Sequence, residues 1–333
     1  MKVSIASLIC SLVTTHKRPS PCDIILPQYS KGTFIPVFFL LVLCVLFWSG
    51  NFIVGRSIHE DVGPMQLALF RWAGAAIIVL PIFVKSFSHI RSAVKSHFFI
   101  LSLLALLGIT AFNTLLYVGL QTTIATNALL INSFVPVLIL VFSYFILKIS
   151  VSVKQSVGIF LSTFGVIFLI IKGEVASLSL IEINNGDFWV ITSSVSWALY
   201  SVLVRFKPKG LNDFEYFTAI VYIGLFWLVL IYSSMDHSPM TDLMLFENYY
   251  PQFLYVAIFP SVISYYFWHQ GIKEIGANKT GQFTHLMPLF GAILAYLYLD
   301  ERLHAYHFIG AFLIAVGIYL SLFSKQEKCT SEI

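Results

Sequence analysis

Ten long apolar segments constrain most strongly what this chain can fold into. Each has about the 17–25 residues that an α-helix needs to cross the hydrocarbon core of a bilayer. Several connections, such as 119–124 and 300–305, leave room only for a tight hairpin. The segments are 34–54, 64–84, 98–118, 125–147, 153–171, 188–204, 216–232, 253–268, 280–299 and 306–323. The pattern predicts an all-α membrane protein with ten transmembrane helices.

The composition agrees with a membrane-embedded chain. Hydrophobic residues make up 58% of the 333 positions, charged residues only 11%, and the mean hydropathy is +0.85. Soluble domains carry about 45–50% apolar and about 25% charged residues, so much of this apolar surface must face lipid. The net charge of +4 is small and no dense basic run is present, which argues against a nucleic-acid partner.

The cysteines and the first segment of the chain indicate no metal site, no cofactor and no signal peptide. The four cysteines (Cys10, Cys22, Cys44 and Cys329) have the spacing of neither a zinc site nor a disulfide framework. The apolar run 3–13 has the length of a signal-peptide core, but its basic cluster, 16–18, follows the run and opposes translocation. We expect residues 1–33 to form an uncleaved cytoplasmic tail.

The distribution of lysine and arginine predicts the orientation. With both termini in the cytoplasm, sixteen of the 20 basic residues fall in cytoplasmic tails and loops. Three (Arg56, Lys172 and Arg302) fall outside, and Arg71 lies within a span. The bias follows the positive-inside rule in every loop. An error of one helix would destroy this alternation, so the charges support the count of ten independently.

The two halves of the chain resemble each other. Trp48, Asn51 and Arg56 match Trp197, Tyr200 and Arg205 at an interval of 149 residues, and Gly119, Pro136, Gly158 and Gly165 match Gly271, Pro288, Gly310 and Gly317 at an interval of 152. Each half has five spans, so the second half must enter the membrane from the opposite face. We therefore expect two inverted five-helix repeats, 34–172 and 187–323, followed by a cytoplasmic tail, 324–333. Inverted repeats are typical of transporters whose substrate site lies near the bilayer midplane.

The paired glycines indicate helix packing rather than chemistry. Gly158 and Gly165 are seven residues apart, about two helical turns, and so are Gly310 and Gly317. Each pair lies on one face, where small residues let two helices approach closely. We expect a packing contact between the fifth and tenth helices.

Several stretches resemble the EamA family of the drug/metabolite transporter superfamily over about residues 34–323. They are FWSGNFIVGR (47–56), the segment from Pro64 to Arg71, LLYVGLQTTIATNALLINSFVPVLILVF (115–142) and YYFWHQGIKEIGANKTGQFTHLMPLFGAILAYLYLDERL (265–303). The resemblance implies ten helices in two inverted repeats, export of amino acids or other metabolites, and a bacterial inner membrane. One departure is that Glu301 follows the ninth helix, whereas Ile149 stands at the matching position of the first repeat. This asymmetry favours a structural role for Glu301.

The placement of acidic residues favours a facilitator or exchanger. All 16 aspartates and glutamates lie in tails, loops or span edges. Proton- and sodium-coupled carriers commonly use a carboxylate inside the membrane, which these spans lack. His269 and His285 remain as groups that could carry a proton in a coupled alternative.

Arg71 is the candidate substrate contact with a full charge. It lies seven residues, about 10 Å, from Pro64 at the start of its span. A charge at that depth costs about 2.5–3.5 kcal/mol on the insertion scale, so it marks a functional hypothesis. Arg71 either binds a substrate carboxylate or phosphate, or extends to lipid headgroups and helix-end carbonyls.

Ten further polar and aromatic residues are candidates for the cavity. Trp48, Asn51, Asn113 and Tyr117 have the repeat equivalents Trp197, Tyr200, Tyr265 and His269, and Asn132 and His285 each lie one turn before a proline. A proline in a span frees a backbone carbonyl one turn earlier, which adds an acceptor beside these side chains. The alternative is aromatic packing together with amides that bond neighbouring helices.

The predicted cavity is mildly amphipathic and suits a small zwitterion or a neutral ring-bearing metabolite. Amino acids fit this description, and nucleosides remain an alternative. A membrane-embedded enzyme is the competing class, but HExxH is absent and His59-Glu60 leads into Asp-Val-Gly. A channel would need a ring-forming repeat or a filter sequence. The expected partners are a small-molecule substrate and the lipid bilayer, with no obligate protein partner evident.

Overall fold

The computed structural model describes residues 34–174, 184–298, 304–324 and 328–329. These residues form a bundle of α-helices. In chain order the helices are α1 (Phe34–Ser57), α2 (Pro64–Lys85), α3 (Phe87–Ser96), α4 (Phe98–Thr122), α5 (Ala125–Asn132), α6 (Val135–Leu147), α7 (Val153–Ile170), α8 (Asn185–Leu203), α9 (Asp213–Ser233), α10 (Pro239–Ala257), α11 (Ser264–Ile275), α12 (Ala277–Gly281), α13 (Met287–Tyr298) and α14 (Ala305–Leu322). A two-residue antiparallel pair joins Ile149–Ser150 to Lys328–Cys329.

Polar caps fix where several of the helices begin. The side chain of Asn184 accepts bonds from the amides of Gly186 (2.8 Å) and Asp187 (3.3 Å), and Asp187 accepts one in return from the Asn184 amide (2.9 Å). Asn212 and Glu215 form the same reciprocal arrangement at the start of α9. These contacts satisfy amides that have no partner within the first helical turn.

In the described part of the chain, eight helical segments are long and apolar enough to cross a membrane. The predicted eighth and ninth spans differ from single α-helices. The eighth begins earlier than expected: α10 starts at Pro239, in a segment expected to be a loop. It bends at Tyr249 and continues through a π-helical turn, Ile258–Ile263, into α11. The ninth is divided into α12, the 3-10 turn Gln282–Leu286 and α13. The predicted second loop also contains a helix, α3.

The helices pack in pairs that cross between the two halves of the sequence. The most extensive contact is between α7 and α14, followed by α4 with α8, α2 with α9, and α1 with α11. Each half therefore buries its helices against the other half rather than forming a separate bundle.

The α7–α14 contact confirms the predicted glycine packing. A Cβ added to Gly158 would lie 2.5 Å from the carbonyl oxygen of Gly317, and one added to Gly310 would lie 3.1 Å from that of Gly165. The first glycine of α7 thus faces the second glycine of α14, and the second faces the first. Only glycine lets the two backbones approach this closely.

Of the four cysteines, Cys44 is the one whose side chain the structure describes. It is buried, is not in a disulfide, and its Sγ lies 3.3 Å from the carbonyl oxygen of Ser264, to which it donates. The side chains of Cys10, Cys22 and Cys329 lie outside the described residues, as do Glu301 and most of both tails.

Candidate functional site

A buried arginine organises the polar centre of the bundle. The Arg71 guanidinium is 1% exposed and donates from all three nitrogens. Nε bonds Ser261 Oγ (2.6 Å), and Nη1 bonds Asn51 Oδ1 (3.0 Å) and Tyr117 Oη (2.8 Å). Nη2 bonds the carbonyl oxygen of Pro260 (3.1 Å). We call these five residues the arginine network; its members come from α1, α2, α4 and the π-turn before α11.

Internal contacts hold the arginine network together. The Tyr117 hydroxyl donates to Asn51 Oδ1 at 2.7 Å, and the Ser261 hydroxyl donates to the carbonyl oxygen of Val256 at 2.7 Å. Pro260 has no amide to bond the carbonyl four residues earlier, which is that of Val256, so Ser261 replaces the missing donor. The guanidinium also lies 5.3 Å from the ring centroid of Trp72. The side chain of Arg71 therefore points into the protein, not to lipid headgroups.

The charge of Arg71 has no acidic partner among the described residues. Its four hydrogen-bond partners are an amide, two hydroxyls and a backbone carbonyl, all of them neutral. The three ion pairs of the described chain, His89–Glu215, Lys207–Asp213 and Lys273–Asp213, all lie elsewhere. A buried charge solvated only by neutral groups is expensive to keep, and a bound anion would compensate it.

Two π-helical turns supply acceptors at the centre of the bundle. They are Leu106–Ala111 in α4 and Ile258–Ile263 before α11, and corresponding residues are 152 positions apart. Such turns disrupt the regular ladder and are frequent at functional sites. The Pro260 carbonyl accepts from Arg71 and from Trp48 Nε1 (2.9 Å), and the equivalent Gly108 carbonyl accepts from the Tyr265 hydroxyl.

A second buried pair repeats part of the arginine network on the other half of the chain. The Tyr200 hydroxyl lies 2.6 Å from His269 Nε2, and both residues are buried. Tyr200 stands 149 positions after Asn51, and His269 stands 152 positions after Tyr117, so the bonded pairs Asn51–Tyr117 and Tyr200–His269 occupy matching positions. We call Tyr200 and His269 the histidine pair. Arg71 itself has no charged equivalent there, because Ile220 stands 149 positions after it.

An aromatic cluster fills the space between the arginine network and the histidine pair. Trp48 and Trp197 meet edge to face with ring centroids 5.1 Å apart, and Trp268 lies 5.0 Å from Trp48. Tyr265 lies 5.3 Å from Trp197, and Phe112 lies 4.6 Å from it. These rings pack closely and fill the centre of the bundle with apolar surface.

A small cavity adjoins the arginine network and the aromatic cluster. Its volume is about 10 Å³, the space of about one water molecule. The lining residues are Trp48, Asn51, Phe52, Arg71, Phe112, Asn132, Trp197, Thr284 and Met287. The cavity thus brings together five of the predicted site residues, and Tyr117 reaches it through Arg71.

Asn113 and His285 lie outside the cavity lining, whereas Asn132, which lines the cavity, bonds a second lining residue. Asn113 donates to the Ile109 carbonyl (3.1 Å) and to the Tyr265 hydroxyl (3.3 Å), beside the first π-turn. Asn132 Nδ2 lies 3.3 Å from the sulfur of Met287. His285 Nε2 donates to the Ser133 carbonyl at 2.8 Å, and His285 is not among the residues that line the cavity.

The described acidic side chains lie in turns, in loops or at helix ends, apart from Glu247, which is exposed within α10. Asp213 accepts from Lys207, from Lys273 Nζ at 2.9 Å and from Gln270 Nε2 at 3.1 Å, which joins the start of α9 to the end of α11. At the opposite ends of the helices, Asp242 accepts from Gln66 Nε2 at 2.8 Å. These carboxylates restrain the two ends of the bundle and leave the centre to neutral groups and Arg71.

Sequence reasoning missed the contribution of the π-turns. Pro260 and Ser261 supply two of the four acceptors of Arg71, and Thr284 and Met287 line the cavity, yet none of them was a candidate. The proline argument applied to Pro136 and Pro288 also holds for Pro260, which lies within the predicted eighth span. It would have identified the freed carbonyl of Val256, which accepts from Ser261, but not the Pro260 carbonyl that accepts from Arg71.

The helical bundle matches a known protein family over nearly its whole length. A model described as the EamA-like transporter family matches the chain twice, over residues 35–171 and 184–323.

Individual relatives agree with the family match. The uncharacterized transporter YyaM of Bacillus subtilis is 29% identical over 282 residues, which cover 85% of this chain and 92% of YyaM. An uncharacterized transporter of Archaeoglobus fulgidus is 27% identical over 87% of this chain and 98% of its own length, and the WAT1-related protein At3g02690, chloroplastic, of Arabidopsis thaliana is 26% identical over 89% and 71%. One solved crystal structure is similar in fold, with a TM-score of 0.64 at 16% identity over 86% of this chain and 96% of the other.

Proposed function

The chain belongs to the EamA-like transporter family, and from this premise we propose that it moves small metabolites across a membrane by alternating access. It is an integral membrane protein, and its Bacillus relatives fit a bacterial inner membrane. Its relatives are named transporters, so we assign it no enzymatic activity. The reaction is the movement of an unmodified substrate from one face of the bilayer to the other.

We further propose ten membrane spans in two inverted repeats, 34–172 and 187–323, with both termini in the cytoplasm. The double family match, the two π-turns 152 residues apart and the crossed glycine contacts of α7 and α14 support this architecture. In a two-fold arrangement the first glycine of one helix faces the second of its equivalent, which is the pattern observed. Five spans per half then require opposite orientations.

The observation that carries the substrate class is Arg71, a buried cation whose partners are all neutral. A substrate carboxylate would compensate this charge through two parallel bonds to the guanidinium. Trp48 and Trp197 beside it provide ring surfaces for an apolar substituent. We therefore propose amino acids and related carboxylates, aromatic ones in particular, as the substrates.

Substrate binding on this proposal requires the arginine network to open. A cavity of about 10 Å³ cannot hold an amino acid. A carboxylate would replace Asn51 and Ser261 as acceptors of Arg71, which separates α1 from the π-turn before α11. The histidine pair would stay closed while the arginine network is open. It would open when the arginine network forms again, after Arg71 has released the carboxylate. One network thus closes the path towards each face of the membrane.

Counterflow in proteoliposomes tests the function. We expect saturable uptake of a labelled amino acid that is accelerated by unlabelled substrate on the opposite side, as alternating access requires and a channel does not produce. A panel of carboxylate-bearing, amine and neutral metabolites identifies the class. Uptake of neutral compounds only, or a rate that rises linearly with concentration, would contradict the proposal.

A histidine-based proton carrier is the second candidate. It is favoured by one observation, the Tyr200–His269 bond at the position that matches Asn51–Tyr117. We prefer the facilitator, because none of the described carboxylates lies inside a predicted span and titrating carriers commonly place one in the membrane interior.

A further inference from the structure

A groove separate from the central site lies between α2, α3, α4 and α9. Its volume is about 340 Å³, which is far larger than the central cavity. The lining residues are Phe83, Phe87, Ile90, Arg91, Val94, Lys95, Phe98, Ala219, Tyr222, Ile223, Phe226 and Trp227. Ten of these twelve side chains are aliphatic or aromatic, and the two charged ones are both cations.

The two polar aromatic residues of the groove, Tyr222 and Trp227, direct their polar groups to partners in the protein. The Tyr222 hydroxyl donates to the carbonyl oxygen of Ala76 at 3.1 Å. Trp227 Nε1 donates to Ser102 Oγ at 3.0 Å. With both groups satisfied by the protein, the walls present ring faces and alkyl groups to whatever occupies the groove. Its occupant must therefore be largely apolar over this length.

The two cations of the groove both lie on the amphipathic helix α3. Arg91 and Lys95 are exposed and four residues apart, so they share a face of the helix, whereas Ile90 is buried. His89, next to them, bonds both carboxylate oxygens of Glu215 at 3.1 Å, which ties α3 to the first turn of α9. The described residues provide no carboxylate partner to either cation.

We propose that this groove binds an anionic phospholipid, with an acyl chain along the apolar walls and the phosphate on Arg91 and Lys95. The groove combines ten aliphatic or aromatic side chains with two cations on one helix, as a phospholipid combines an acyl chain with an anionic headgroup. The basic-residue bias places α3 on the cytoplasmic side, where anionic lipid is attracted to such cations. A soluble anion would leave most of the 340 Å³ volume between the apolar walls unfilled.

The bound lipid would connect the two halves of the transporter. Three walls of the groove (α2, α3 and α4) belong to the first half, and the fourth, α9, belongs to the second. An occupant therefore contributes contacts across the boundary along which α2 packs on α9. We expect anionic lipid to raise the melting temperature of the protein.

Native mass spectrometry of the full-length protein tests the proposal. The protein is titrated with phosphatidylglycerol and with phosphatidylcholine, for wild type, the Arg91→Gln/Lys95→Gln double variant and the control Lys209→Gln. Lys209 is an exposed lysine on the same predicted side of the membrane but outside the groove. We expect the double variant to bind phosphatidylglycerol about 30-fold more weakly, the combined effect of two surface cations, and the control to match wild type.

A groove-filling variant, Val94→Trp, tests the apolar part independently. It keeps both cations, and it should reduce lipid binding because the indole occupies the space of the acyl chain. Equal retention of phosphatidylcholine and phosphatidylglycerol would reduce the groove to ordinary lipid contact and overturn the proposal. Displacement of the lipid by inorganic phosphate, with no effect of Val94→Trp, would identify an anion site instead and overturn it as well.

Discussion

The side-chain amide of Asn113 donates to the hydroxyl of Tyr265, the residue 152 positions later, over 3.3 Å. Trp48 packs against Trp197, its repeat equivalent 149 residues later. His285 donates to the carbonyl of Ser133, the residue 152 positions before it. In a two-fold arrangement, a residue contacts its own equivalent only near the axis. These three contacts therefore place the proposed axis through the aromatic cluster, beside the candidate substrate site.

Substitution of Arg71 tests the substrate class. Arg71→Gln should weaken uptake of carboxylate-bearing substrates by about 10- to 100-fold, the value of a charged hydrogen bond, and affect neutral substrates less. Arg71→Lys keeps the charge without the planar guanidinium. Its uptake of carboxylate-bearing substrates should therefore fall between that of wild type and that of Arg71→Gln. Arg56→Gln is the control, because Arg56 bonds the carbonyls of Leu120 and Gln121 at a helix end. An equal loss for charged and neutral substrates would indicate a structural role for Arg71.

The two hydroxyl bonds should have opposite effects on accessibility. Tyr117→Phe removes a bond from the arginine network and should favour the state open to the outside, whereas Tyr200→Phe leaves His269 without its partner and should favour the state open to the cytoplasm. Each loss is worth about 1–3 kcal/mol for a buried group. Labelling of cysteines introduced on each side of the cavity measures the shift, with Tyr144→Phe, an exposed tyrosine, as the control. A shift in the same direction for both variants would disprove the two-network mechanism.

The glycine contact predicts a loss of stability without a change in substrate preference. Gly158→Ala places a Cβ 2.5 Å from the Gly317 carbonyl and should cost about 1–3 kcal/mol, the usual effect of overpacking. Gly317→Ala should cost a similar amount, because its Cβ would lie 2.5 Å from the Ser162 amide nitrogen. Gly210→Ala meets nothing within 4 Å and serves as the control in the same thermal melts. Equal melting temperatures for all three variants would show that α7 and α14 do not pack as described.

Coupling is tested by uptake into liposomes with and without an imposed proton gradient. For a facilitator, transport follows the substrate gradient and depends weakly on pH or on membrane potential when the substrate is a zwitterion. His285→Asn and His269→Gln are compared with wild type in the same assay. Accumulation above equilibrium that requires the proton gradient and disappears in one of these variants would establish a histidine-based proton carrier.

The topology prediction uses single cysteines in a cysteine-free variant. Positions 91, 154 and 207 should react with a membrane-impermeant reagent from the cytoplasm only, as the basic-residue bias requires. Positions in 236–247 should react from the opposite side. Cytoplasmic reactivity of 236–247 would exclude ten spans in inverted repeats.

The sequence was sufficient for the helical class, for the family and for the positions of most helices. Apolar length decides whether a segment can cross a bilayer, and backbone groups in lipid can be satisfied only within a helix or a closed sheet. The α7–α14 contact was also predictable, because glycines at a seven-residue spacing have few other uses in a span. Helix α3 and the early start of α10 were not, since charged and polar residues in short amphipathic helices resemble those of loops.

The chemistry of the centre depended on tertiary structure. The sequence identified Arg71 as an unusual charge, but its partners Tyr117 and Ser261 are 46 and 190 residues away, and their distances from the guanidinium follow from helix packing alone. The π-turns depend on how α4 and α11 pack against their neighbours. No local sequence pattern therefore predicted that the carbonyls of Gly108 and Pro260 would accept side-chain hydrogen bonds. Local apolar periodicity therefore determined which segments are helices. Long-range packing decided that, among the described residues, the buried Arg71 has only neutral hydrogen-bond partners.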